Sequence, residues 1–153
     1  MAESIRKVYE ELGRKCKLPK FEELGEFQVS DLEDTKFLLS GIRGRIAERI
    51  QDSADFLSDI LYPDSNLQGM YESRVFDEKE KKRVFDVFKR IMFWQRSSFE
   101  ALVKGDDSAN AEFISGFVSE WKGLKHDLVE VAARVKASWE AESEQPEKLG
   151  YFG

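Results

Sequence analysis

Apolar residues in this chain recur every three or four positions, most densely between residues 84 and 103. Twelve of those twenty positions are apolar, from Val84, Phe85 and Val87 to Ala101, Leu102 and Val103. On a helical wheel all of them except Phe93 fall within about half the circumference, wider than the single stripe of a surface helix. The pattern predicts a hub helix with neighbours on more than one side. Two residues break it: Phe93 points out among Lys89, Arg96 and Glu100, and Gln95 falls near the middle of the apolar arc.

Other helices follow from the same spacing. Ile5, Val8, Tyr9, Leu12 and Cys16 give a narrow stripe over residues 3–16. Pro19 opens a helical turn through LPKFEELG, with Phe21, Leu24 and Phe27 expected to plug into the core. Ser30 and Glu33 form an S-x-x-E capping box, which predicts a long helix from about residue 31 to Leu61, ended by Tyr62-Pro63. Gly41 and Gly44 lie inside it, as a close crossing or a break. Residues 63–76 read as the longest connection, and its first half as turn or loop. Asp77 and Glu80 form a second cap pair ahead of the hub, which should end near Lys104-Gly105. In the last helix, about 109–141, Phe113, Phe117, Trp121, Leu124, Leu128, Val131, Val135 and Trp139 make one seam. The short connector before it makes it antiparallel to the hub. The expected fold is therefore all-α: an antiparallel bundle of three long helices with a shorter N-terminal helix and a helical turn. It forms a single domain over residues 1–142, with a tail over 143–153.

Composition narrows the function classes. With 41% hydrophobic and 35% charged residues the chain suits a globular domain and offers no membrane span. One cysteine, Cys16, excludes an internal disulfide, and the charged N-terminus lacks a signal-peptide core, so a cytoplasmic location is expected. A net charge of −6 argues against generic nucleic-acid affinity. Two basic sets offer the exception: Lys79, Lys81, Lys82, Arg83, Lys89, Arg90 and Arg96, and a second set from Arg6 to Lys20. Both are interleaved with acids.

Glu48, Asp52, Asp55 and Asp59 form an acidic column on the predicted long helix. Paired carboxylates on bundle helices hold divalent metal in the all-α nucleoside-triphosphate pyrophosphatases, through E-x-x-E on one helix and E-x-x-D on the next. The nearest match is Asp31/Asp34 with Asp52/Asp55, but one predicted helix carries both pairs, roughly 30 Å apart. The plainer reading is a solvated face, with Asp59 set beside Arg83 and Asp52 beside Arg90 to favour one antiparallel register. His126 falls on the polar face of the last helix, with Gly123 where an E-x-x-H motif needs Glu. Cys16, between Lys15 and Lys17, reads as packing, and Ser40-Gly41-Ile42-Arg43-Gly44 lacks the strand and G-K-[ST] ending of a phosphate loop.

The end of the chain, Gln145-Pro146-Glu147-Lys148-Leu149-Gly150-Tyr151-Phe152, resembles the short peptide that docks replication proteins on a sliding clamp. Its aliphatic anchor position holds Lys148, so the resemblance is incomplete. Phe93, Tyr151 and Phe152 are the expected partner-binding residues. The pattern LPKFEELGEFQV, then LLSGIR, AERI and EFISGFVSEW, resembles a family of small all-helical archaeal proteins. That family has no assigned activity, so the resemblance implies a cytoplasmic all-α protein and supplies no catalytic residues. The expected function is a non-enzymatic protein-interaction or scaffold module, with a protein partner or a second copy and no cofactor. The alternatives are a metal-dependent nucleotide phosphohydrolase using the acidic column, and a nucleic-acid-associated protein.

Overall fold

A computed structural model describes residues 2–141, and every regular element among the described residues is a helix, with no strand. Five α-helices occur in order: α1 (Ala2–Leu12), α2 (Leu38–Leu61), α3 (Leu67–Ser73), α4 (Glu78–Lys104) and α5 (Asp107–Glu140). Two 3-10 turns, Phe21–Phe27 and Val29–Asp31, stand between α1 and α2. The all-α bundle expected from the spacing is what the chain forms. Contacts divide it into two compact units. One comprises residues up to Gln51 with Phe93–Lys122, the other Asp52–Met92 with residues from Gly123 onward.

In the first unit α2 supplies a continuous buried row of Leu38, Leu39, Ile42, Ile46 and Ile50. Against it stands an aromatic cluster. Phe117 stacks on Phe113 and Trp121 at 6.0 and 5.3 Å, Trp94 meets Phe113 and Phe117 edge-on, and Phe27 adds its ring from the 3-10 turn. Offset and edge-on rings of this kind add about 0.5–1.5 kcal/mol per pair beyond area burial. The edge of the Trp94 ring can approach α5 closely because residue 116 is glycine: a Cβ there would stand 2.9 Å from the ring. Leu24 and Phe27 are buried as expected, while Phe21 is half-buried beneath Tyr9.

In the second unit Ala54, Leu57, Ile60, Val84, Val87, Ile91, Leu124 and Val135 are buried. Trp139 packs on Tyr71 and donates to the buried Glu72 carboxylate at 2.9 Å. Glu80 pairs with Arg134, and Arg90 with Asp127, which sets α4 and α5 antiparallel.

Several expectations are corrected. The helix predicted from Ser30 starts at Leu38 instead. Ser30 lies in a 3-10 turn, Leu32 is extended, and Asp34 Oδ1 takes the Lys36 N–H, so local side-chain bonding wins over the capping box. α2 does not break at Gly41 or Gly44; Gly41 lets Leu32 rest on the helix, and Gly44 faces open space. α1 stops at Leu12, where the Leu12 carbonyl accepts from Lys15 and Cys16, so Cys16 does not continue its stripe. The connection after Pro63 contains α3, capped by Asn66 Oδ1 on the Gly69 N–H. Asp77 and Glu80 cap α4 reciprocally, and Gly105, at φ +74°, ends it, both as expected.

The largest correction concerns the hub. The first half of its apolar arc is seated through Val84, Val87 and Ile91, but Phe99, Leu102 and Val103 are 61%, 52% and 69% exposed. The row that is buried from end to end belongs to α2.

Candidate functional site

The second half of α4 separates two faces. Phe93, 62% exposed, edges a groove of about 290 Å³ with Trp94, Ser97 and Glu100 from α4 and Glu112 and Phe113 from α5. Its outward position matches the sequence expectation. Opposite charges mix at its rim through Glu100, Lys104 and Glu112.

Phe99, Leu102 and Val103 lie on the other face, because positions three and four apart on a helix are neighbours. Phe99 and Leu102 line a groove of about 490 Å³ with Ala47 and Ile50 of α2. Gln95 stands at its edge and donates through Nε2 to Gln51 Oε1 at 2.6 Å, so the polar residue expected inside the arc finds its partner where the arc meets solvent. Arg96 donates to Gln95 Oε1 at 3.0 Å.

Arg43 closes the groove from α2, only 8% exposed. Its Nε donates to Asn110 Oδ1 at 2.9 Å and its Nη1 to Ser98 Oγ at 3.1 Å, both on buried residues. Asn110 is itself held by its Nδ2 on the Asp106 carbonyl at 3.1 Å. Burial holds the Arg43 pKa below its ordinary value. Sequence reading passed over Arg43 as part of a failed phosphate loop. The signal was present: it stands four residues after Leu39 and three before Ile46, on the apolar side of α2.

The acidic column does not converge. Glu48, Asp52, Asp55 and Asp59 are all exposed on α2, and among the described residues they form no group of three with ligand atoms within 4.8 Å. Arg90 takes Asp127, not Asp52. Asp31 pairs with Arg45 at 2.9 Å and Asp34 closes a turn, so neither is presented as a metal ligand. His126, Asp127 and Glu130 do gather on α5, with His126 Nε2 3.2 Å from Glu130 Oε1. The E-x-x-H search missed this group because the acids follow the histidine. His126 and Glu130 are exposed, and Arg90 already places a cation on Asp127. From the two basic sets, Arg90 and Arg6 are tied to carboxylates, Arg6 to Glu10 and Glu22. Cys16 is half-buried in a shallow groove with Lys15, Lys17 and Ser115. Tyr151, Phe152 and the clamp-like peptide lie outside the described residues.

No family model, curated protein or solved structure matches the chain. No helix among the described residues is long and apolar enough to cross a membrane.

Proposed function

We propose that the chain is a non-enzymatic interaction module that docks another polypeptide along the second half of α4. The observation that carries this reading is the contiguous exposure of Phe99, Leu102 and Val103 beside an apolar groove. Single exposed apolar residues are ordinary; three on one helix face, continuous with a groove floored by Ala47 and Ile50, form the kind of patch a partner covers. The groove offers a protein side chain apolar walls and polar ends at Gln95 and Arg96, the mix common at interface cores and rims.

The test places a photo-crosslinking amino acid at Val103 and, as control, at the exposed Lys136 of α5, in the native cell. A discrete adduct at 103, absent at 136 and lost on Phe99→Ala with Leu102→Ala, is expected. Adducts of equal yield at both positions, or adducts indifferent to the double substitution, would remove the reading. An adduct of twice the chain mass makes the partner a second copy, which sedimentation at micromolar concentration would register as a dimer.

A further inference from the structure

The groove beside Phe99 differs electrically from the others. Its charged lining residues are Arg43 and Arg96, with no carboxylate among the residues that line it, in a chain whose net charge is −6. The groove at Phe93 carries Glu100 and Glu112 beside Lys104, and the one at Phe76 sets Glu80, Asp86, Asp127 and Glu130 against its arginines.

Arg43 is the unusual member. Taking a charge out of water is costly, and folded chains offset it with an opposite charge. Here the guanidinium meets two neutral oxygens, from Asn110 and Ser98, and no carboxylate among the described residues lies within ion-pair distance. Those two bonds fix the plane of the fork through Nε and Nη1. They leave Nη2 without a protein acceptor among the described residues. Ser98 and Asn110 are buried and come from different helices, so the fork is held from two sides before any ligand arrives. A guanidinium held in place with donors to spare is suited to a carboxylate, whose two oxygens match it in one plane. Ala47, Ile50, Phe99 and Leu102 give the groove hydrocarbon walls, with Gln51 and Gln95 among its polar lining. A carboxylate on an apolar stem suits both parts, its oxygens on the guanidinium and its stem along the hydrocarbon walls.

The geometry points to a carboxylate-binding subsite at Arg43, filled by an Asp or Glu side chain of a docked partner segment whose apolar neighbours cover Phe99 and Leu102. The inference rests on the docking reading above and gives that partner its chemistry: an acidic residue flanked by leucine-like ones. Arg96, at the exposed edge of the same groove, adds a second positive charge that draws the segment in. Most of the Arg43 side chain leaves water on folding, and a docked carboxylate supplies the opposite charge.

The test uses the full chain and two capped tripeptides, N-acetyl-Leu-Glu-Leu-amide and its Gln twin, with decanoate as a third probe. Titrations are followed by NMR at the Arg43 Nε–H, the Ser98 amide and the Leu102 methyls. The Glu peptide is expected to saturate in the millimolar range, as small fragments do, with the Gln twin about tenfold weaker. Arg96→Gln, at an exposed position, should weaken the Glu peptide by about two- to threefold. Arg43→Met should erase the Glu-over-Gln preference. The acid-amide comparison on the unaltered chain decides the matter even if that variant fails to fold. Equal affinities for the two peptides, no saturation, or shifts away from Arg43 would overturn the proposal. Saturation by decanoate with no response to the Glu peptide would overturn it too, by making the occupant a lipid acid. If the peptides fail while the crosslink at Val103 persists, the docking surface stands without its carboxylate subsite. Loss of the crosslink sinks the docking reading itself.

Discussion

Tyr9 donates its phenol hydrogen to the Pro19 carbonyl at 2.6 Å, tying α1 to the segment that leads into the 3-10 turn. Burial, and secondarily the charge of Glu23, pushes this phenol well above its ordinary value near 10. A group whose pKa is raised on folding contributes its stabilisation fully below the unfolded value and loses it as the pH climbs through the folded one. Wild-type stability is therefore expected to fall from about pH 10 upward through Tyr9. Tyr9→Phe should cost about 1 kcal/mol at neutral pH, since the Pro19 carbonyl loses its donor, and that difference should shrink above pH 10. Urea titrations of both chains across that range check this; parallel curves would contradict it. Two glycines give the opposite lesson in sterics. Gly116→Ala drives a methyl into the Trp94 ring, which packs edge-on against Phe113 and Phe117 and must shift to admit it. A loss of about 1–2 kcal/mol is expected. Gly44→Ala meets nothing and should gain up to about 1 kcal/mol from helix propensity. Thermal melts separate the two signs.

Of the two capping pairs that the sequence sets ahead of predicted long helices, one caps its helix and the other does not. Asp77 and Glu80 exchange bonds at 2.8 and 3.0 Å at the start of α4, whereas Ser30 lies within a 3-10 turn that an extended Leu32 separates from Glu33. Asp77→Ala should cost about 1 kcal/mol and Ser30→Ala less than about 0.5 kcal/mol, measured by denaturant midpoints. If Ser30→Ala costs as much as Asp77→Ala, the start of α2 assigned here is wrong. A three-residue motif records what a side chain can bond, not which backbone partner reaches it first. Valine and leucine at 29 and 32 find seats that a helix from residue 31 would have pulled apart: Val29 is buried and Leu32 rests against Gly41. Element ends with a steric or covalent cause were legible, as at Tyr62-Pro63 and Gly105. The short α3 was not, because seven residues hold too few repeats of the helical period to stand out against a loop composition.

Across the whole chain, periodicity told which residues are apolar, and it could not tell which of them have a neighbour. α4 has the densest run and the widest arc, yet Phe99, Leu102 and Val103 in its second half are left uncovered among the described residues; α2, with a narrower stripe, is buried along its length. Gln95 in the arc already marked the edge of the groove beside Phe99, whereas the outward Phe93 lies on the other face of α4. The charged part of the groove was not legible, since Arg43 becomes significant only when Asn110 and Ser98, 67 and 55 positions away, are seen to be its hydrogen-bond partners among the described residues. This division between buried row and uncovered face predicts a division between stability and binding. Ile46→Ala empties a fully buried site and should cost about 2–5 kcal/mol. Phe99→Ser with Leu102→Ser removes more side-chain carbon, but from positions that are mostly exposed in the isolated chain, and should change stability by under about 1 kcal/mol in total. The double variant should nevertheless lose the crosslink at Val103, which Ile46→Val, a milder core change, should retain. Denaturation midpoints and adduct yield measured on the same preparations test both halves. A double variant that unfolds like Ile46→Ala would mean that Phe99 and Leu102 serve the core, and that the face of α4 they occupy is not held open for a partner.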